Sequence, residues 1–131
     1  MITVMLTDDH ELIREGLRRA FEREEDVEVV AEAASVAEAI AVGRKVSPNV
    51  AIVDLRLPDG NGLDIVRALR EHDADMGIVV LTMYAGDTQL FDALEAGASA
   101  FVPKSAPAEE IVAAARHAAA SPQSFTSADL A

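Results

Sequence analysis

The chain has 131 residues, enough for one domain that stands without staples, and it has no cysteine, which excludes thiol catalysis, thiolate metal sites and a disulfide framework. Its 23 Asp and Glu against 11 Lys and Arg give a net charge of -12, which repels a phosphate backbone and argues against nucleic-acid binding by this stretch itself. With no basic leader and no long apolar span, neither export nor membrane insertion is expected, and a cytoplasmic location is.

The run Ile2-Thr3-Val4-Met5-Leu6-Thr7 predicts a first strand with Asp8 and Asp9 at its tip. Over residues 11–24, Leu12, Ile13, Gly16, Leu17, Ala20 and Phe21 recur at helical spacing among charged residues, so one face should pack and the other stay wet. Residues 27–33 predict a second strand. Ser35-Val36-Ala37-Glu38 then shows the Ser-x-x-Glu pattern of a capped helix start, and that helix should run to about Lys45. Residues 49–54 form a nearly all-apolar third strand that ends on the carboxylate of Asp54; a Pro, Asp and Gly loop from Leu55 to Gly62 returns the chain into a helix buried through Ile65, Val66 and Leu69. Residues 77–82 predict a fourth strand. After Met83-Tyr84-Ala85-Gly86, a helix carries Leu90, Phe91 and Leu94 to a stop at Gly97. Residues 100–103 make a short fifth strand, which Pro103 should confine to an edge or end, and residues 106–120 an alanine-rich helix with Pro107 in its first turn. Residues 121–127 have the small, polar make-up of a linker, and residues 127–131 hint at one more helix start.

Strands alternating with helices argue for a parallel sheet covered on both faces, because parallel strands need crossovers and helices supply them. In such a sheet the strands' carboxyl ends share one edge, so Asp8, Asp9, Asp54, Thr82 and the region of Lys104 should converge there. Three ionised aspartates about 4 Å apart would repel by roughly 4 kcal/mol per pair at an effective dielectric near ~20. Protons or a cation must offset this, and hard oxygens with access to water suit Mg2+ rather than zinc, for which His10 alone makes a poor site. Beside a cation Asp54 could accept a phosphoryl group as an acyl phosphate, with Lys104 and the Thr82 hydroxyl holding its remaining oxygens. A move of Thr82 toward that group would empty a space for Phe101, the elements of a two-state switch. Taken singly, Asp8 or Asp9 reads as a helix cap, Lys104 as a surface lysine and Phe101 as core. Their joint placement at successive strand ends carries the chemistry.

Asp8-Asp9-His10, Asp54 with Leu57-Pro58-Asp59-Gly60-Asn61-Gly62, Leu81-Thr82, Gly97-Ala98 and Lys104 together closely resemble the receiver domain of bacterial two-component response regulators, over residues 2–120. The resemblance implies a flavodoxin-like, doubly wound five-stranded parallel sheet of order 2-1-3-4-5 with five helices. It implies Asp54 as phosphoacceptor, Asp9 as a direct Mg2+ ligand, Asp8 as a second acidic ligand acting through water, and the Arg56 carbonyl as a further ligand. Thr82 and Lys104 match the family's phosphoryl-holding pair and Phe101 its rotating aromatic. The Asp-Asp-His opening, the Leu-Pro-Asp-Gly-Asn-Gly loop and Leu-Thr-Met-Tyr are most similar to receivers that precede a LuxR-type helix-turn-helix. That implies a transcription regulator with residues 1–120 as receiver and 121–131 as linker toward an absent output domain, a sensor histidine kinase as partner, a homodimer on phosphorylation, and DNA contact only through the missing domain. A stand-alone receiver is the competing organisation, and an atypical receiver acting by protein or ligand contact without phosphorylation the competing function. A hydrolase acting on a separate substrate is disfavoured, because no insertion is long enough to form a substrate cap. The sequence departs from the family twice. Ser105 follows Lys104 where a cis-linked proline is usual, and without proline a cis bond costs about 3 kcal/mol; Met83 stands where many receivers have a small residue.

Overall fold

Aliphatic and β-branched runs form the strands, and the amphipathic segments between them form the helices that cover the resulting sheet. The computed structural model describes residues 1–83 and 86–127. In chain order the elements are β1 Ile2–Thr7, α1 Glu11–Glu22, β2 Val27–Ala33, α2 Val36–Val46, β3 Val50–Asp54, β4 Arg56–Leu57, β5 Gly60–Asn61, α3 Gly62–His72, β6 Gly77–Thr82, α4 Asp87–Ala96, β7 Ala100–Pro103, α5 Ala108–Ala120 and β8 Thr126–Ser127. The main sheet runs β2-β1-β3-β6-β7-β8 with every pair parallel, and its five long strands have the expected order 2-1-3-4-5 when counted along the chain.

Because strand side chains alternate between faces, neighbouring residues of β3 enter different cores. Ala51 and Val53 join Met5, Leu69, Ile78 and Phe101 beneath α2, α3 and α4. Val50 and Ile52 join Leu6, Phe21, Val79 and Ile111 beneath α1 and α5. Each large side chain buried this way contributes about 1.5–3 kcal/mol, so the central strands are fixed from both sides and their carboxyl ends are held in common register.

Several expectations change. Residues 121–127 do not run free. They fold back so that β8 pairs with Ala100 and Phe101 of β7, and only Val102 and Pro103 keep the edge position expected of the fifth strand. Arg70 of α3 fastens this return. Its guanidinium donates to the carbonyls of Ala74, Met76, Gly97 and Pro122, and Ser99 Oγ donates to Pro122 as well. Leu12, Phe91 and Leu94 do not pack. They are 81, 61 and 44 % exposed, because at about 100° per residue they fall beside the buried stripes of Leu17, Ala20 and Phe21 on α1 and of Leu90 and Ala93 on α4. The loop between β3 and α3 contains the small antiparallel β4–β5 hairpin, and Pro107 precedes α5 instead of entering its first turn. Lys104–Ser105 is trans, as are all peptide bonds among the described residues. Tyr84, Ala85 and the helix start suggested for residues 128–131 lie outside the described residues.

Candidate functional site

The predicted residues meet at the carboxyl edge of the sheet. β1 delivers Asp8 and Asp9 into the turn before α1, where Asp8 Oδ1 accepts the His10 backbone N–H at 2.9 Å; neither aspartate caps the helix by its side chain. The Arg14 guanidinium donates to the Asp8 carbonyl and so pins that turn from α1. β3 ends on Asp54, whose Oδ1 lies 3.4 Å from the Arg56 N–H. β6 ends on Thr82, whose carbonyl accepts the Lys104 N–H at 2.8 Å and thereby fixes the chain leaving β7. Lys104 Nζ then stands 2.7 Å from Asp8 Oδ2 and 2.8 Å from Asp54 Oδ2. A cleft of about 360 Å³ opens over this group, walled by His10, Arg56, Leu57, Pro58 and Met83, with Thr82 and Asp9 on its lining. Phe101 lies elsewhere: it is fully buried in the core under α4 and faces a separate groove beside α5.

Burial dominates the electrostatics. It pushes the Asp54 carboxyl above the usual carboxylate range, with the hydrogen bond and charge of Lys104 opposing and the neighbouring charge of Asp8 reinforcing the rise. At Lys104 burial is again the largest single influence and opposes the charge, yet hydrogen bonds and attraction from Asp54 and Asp8 together hold the ammonium above the ordinary lysine range. The lysine therefore stays charged and braces two carboxylates that would otherwise repel.

Asp8, Asp9, His10 and Asp54 each offer a ligand atom, and these atoms all lie within 4.8 Å of one another. His10 Nδ1 is 3.1 Å from both Asp8 Oδ1 and Asp9 Oδ1. Three carboxylates against one ammonium leave the ionised group two charges negative. A hard divalent cation fits both that deficit and the predominantly oxygen donor set.

Composition and spacing alone did not single out the residues that shape this group. Gly62 is the clearest. A Cβ there would stand 2.0 Å from the Asp54 carbonyl oxygen, so α3 can begin against the end of β3 only if this position has no side chain. Its sequence signal is its place at the end of Leu-Pro-Asp-Gly-Asn-Gly. Asp59, in the same loop, sends its carboxylate to the start of α2, where it accepts the N–H groups of Val36 and Ala37.

The profile of the response regulator receiver domain matches residues 4–116 of the chain. The chain belongs to this family. Among curated relatives, the DNA-binding transcriptional activator DevR/DosR of Mycobacterium tuberculosis is 41% identical over 116 residues, 88% of this chain and 54% of that protein. The transcriptional regulatory protein LiaR of Bacillus subtilis is 35% identical over 118 residues, 90% of this chain and 56% of that protein. The receiver domain thus spans about half the length of the curated relatives it matches. Among solved structures, a LuxR-family two-component response regulator from Aurantimonas superposes with a TM-score of 0.91 at 38% identity, covering 99% of this chain and 92% of that one. The receiver domain is of the LuxR-family type, and no helix among its described residues is long and apolar enough to cross a membrane.

Proposed function

We propose that this receiver domain is a phosphoryl-operated switch of the cytoplasm in which Asp54 accepts a phosphoryl group from a donor, in the whole protein a sensor histidine kinase. The supporting observation is the Lys104 ammonium bridging Asp8 and Asp54 at the floor of an open acidic cleft. An Asp54 oxygen attacks phosphorus, the bond from phosphorus to the donor's leaving group breaks with its electron pair leaving on the donor, and an acyl phosphate forms. Lys104 leaves its carboxylate pairing to hold a phosphoryl oxygen, and the Thr82 hydroxyl at the end of β6 takes another. Water later attacks phosphorus, the bond from phosphorus to the Asp54 oxygen breaks with its electron pair returning to the carboxylate, and inorganic phosphate leaves, so the domain is catalytic only toward its own phosphoryl group. Asp9, Asp54 and the Arg56 carbonyl would hold Mg2+, with Asp8 acting through water. When bound, the ion supplies positive charge against the phosphoryl oxygens.

The new negative charge draws Thr82 toward it, and Phe101 follows into the space released, which shifts β6, β7 and α4. Phosphorylation then favours a homodimer, and α4, with Phe91 and Leu94 exposed, is the surface best suited to it. Residues 121–131 lead toward a DNA-binding output domain, the only part through which the whole protein would contact DNA. Incubation with acetyl phosphate and Mg2+ followed by intact-mass measurement tests the reading: one phosphoryl mass is gained, and Asp54→Asn gains none. No gain in the parent chain, or a gain that survives the substitution, overturns it in favour of a receiver working by contact alone. Light scattering with and without beryllofluoride tests the dimer, and an unchanged mass at micromolar concentration rejects it.

A further inference from the structure

The N-terminus of α2 is completed by a residue from another loop. Within its own turn, Ser35 Oγ takes the Glu38 N–H at 3.1 Å, the Ser35 carbonyl takes that of Ala39, and Glu38 reaches back to the Ala34 N–H. The two N–H groups left over go to one carboxylate: Val36 to Asp59 Oδ1 at 2.8 Å and Ala37 to Asp59 Oδ2 at 3.1 Å. A helix N-terminus presents unpaired donors and the positive end of the helix dipole, so an ionised carboxylate is the favoured occupant. The same two N–H groups hold the Asp59 carboxyl below the usual carboxylate range.

Asp59 is also the tip of the hairpin that leads from the site. Arg56 pairs with Asn61 and Leu57 with Gly60, leaving Pro58 and Asp59 as the turn. At the base, the Gly62 N–H donates to the Leu55 carbonyl at 2.8 Å and the Arg56 N–H points to Asp54 Oδ1. Two paired residues a side cannot hold a hairpin in place unaided. This one is fastened at the base to the end of β3 and at the tip to α2. We propose that Asp59 is a positioning residue for the site: by clamping the hairpin tip to α2 it sets where the Arg56 backbone stands relative to Asp54. The proposal deepens the phosphoryl-switch reading and rests on it. Asp59 itself is exposed and is not part of the cleft lining.

Ser35→Ala separates positioning from mere helix capping, because it removes a different cap from the same helix end and leaves the hairpin untouched. The chain, Asp59→Ala, Asp59→Asn and Ser35→Ala are compared by the ¹⁵N–¹H shift of the Arg56 amide and by the Mg2+ concentration giving half-maximal phosphoryl incorporation from acetyl phosphate. Asp59→Ala is expected to move the Arg56 amide and raise the Mg2+ midpoint roughly fivefold, the factor corresponding to one ordinary lost cap. Ser35→Ala should leave the Arg56 amide in place and the midpoint within about twofold, and Asp59→Asn, which keeps one acceptor oxygen, should fall between. Equal effects of Asp59→Ala and Ser35→Ala, or an Arg56 amide indifferent to Asp59, overturn the proposal. A parent chain that gains no phosphoryl mass sinks the switch reading separately, and the Arg56 amide alone then decides the role of Asp59.

Discussion

Replacing Lys104 by Met keeps an unbranched, flexible stem one atom shorter and removes the charge that braces Asp8 and Asp54. Both carboxylates are buried, with side chains 2 and 6 % exposed, and Lys104 Nζ is within 2.8 Å of each. Their ligand oxygens lie no more than 4.8 Å apart, so once unbraced they repel by at least about 3 kcal/mol at an effective dielectric of ~20. The loss has a ceiling, because the folded chain can protonate one of them instead. From an ordinary pKa near ~4, that costs about 4 kcal/mol at pH 7. A deficit of about 3–4 kcal/mol at pH 7 is therefore expected, measured by urea unfolding followed by far-UV circular dichroism. The sign with pH follows from linkage. Burial already raises the Asp54 carboxyl, and without the lysine the folded state binds a proton still more tightly than the unfolded one. The deficit is then full at neutral pH and shrinks as pH falls toward about 4. If the proposed Mg2+ site exists, added Mg2+ recovers part of it at pH 7 by binding the folded chain alone. A deficit under about 1 kcal/mol at pH 7, or one that does not change with pH, would refute the bracing role.

Arg70→Met should leave the Gly97 and Met76 carbonyls short of a donor, costing about 2–3 kcal/mol; hydrogen exchange at the Thr126 amide should accelerate, and an unchanged rate would show that the return of residues 121–127 is held by other contacts. The two phenylalanines should behave oppositely in unfolding experiments: Phe101→Ala costs about 3–5 kcal/mol because Phe101 is fully buried, whereas Phe91→Ala stays within about 0.5 kcal/mol because Phe91 is exposed. Asp59, whose carboxyl is held low by two backbone N–H groups, contributes stability that is present above the ordinary carboxylate range and lost as pH falls through its lowered value. Asp59→Asn should accordingly flatten the acid limb of the stability–pH curve, and a limb of unchanged steepness would deny the carboxylate that role.

Local chemistry was enough to lay out most of the fold. Continuous apolar runs placed every long strand, and helical spacing, a cap pattern and alanine content placed the helices, because burying apolar surface is a local requirement that each segment states for itself. The run of residues 50–54 announced both a buried strand and a carboxylate at its exit, and the short crossovers left little choice but a parallel sheet with its carboxylates on one edge. Resemblance of motifs to a known family then supplied the strand order and the roles expected of Asp54, Asp9 and Lys104.

Helical spacing groups Leu12 with the packing face of α1, yet it is exposed, because the sheet covers only the strip of Leu17, Ala20 and Phe21. The return of residues 121–127 rests on Arg70 and Ser99, respectively 52 and 23 residues from their partner Pro122, and no local pattern encodes such a pairing. The Asp59 clamp on α2 spans 23 residues and is likewise a meeting of a loop tip with a helix end. The bridge from Lys104 to Asp54 and Asp8 has the same character. Sequence fixes which groups can bond, but their separation in space, and hence every pairing energy and proton affinity in the cleft, exists only after the sheet has brought its strand ends together.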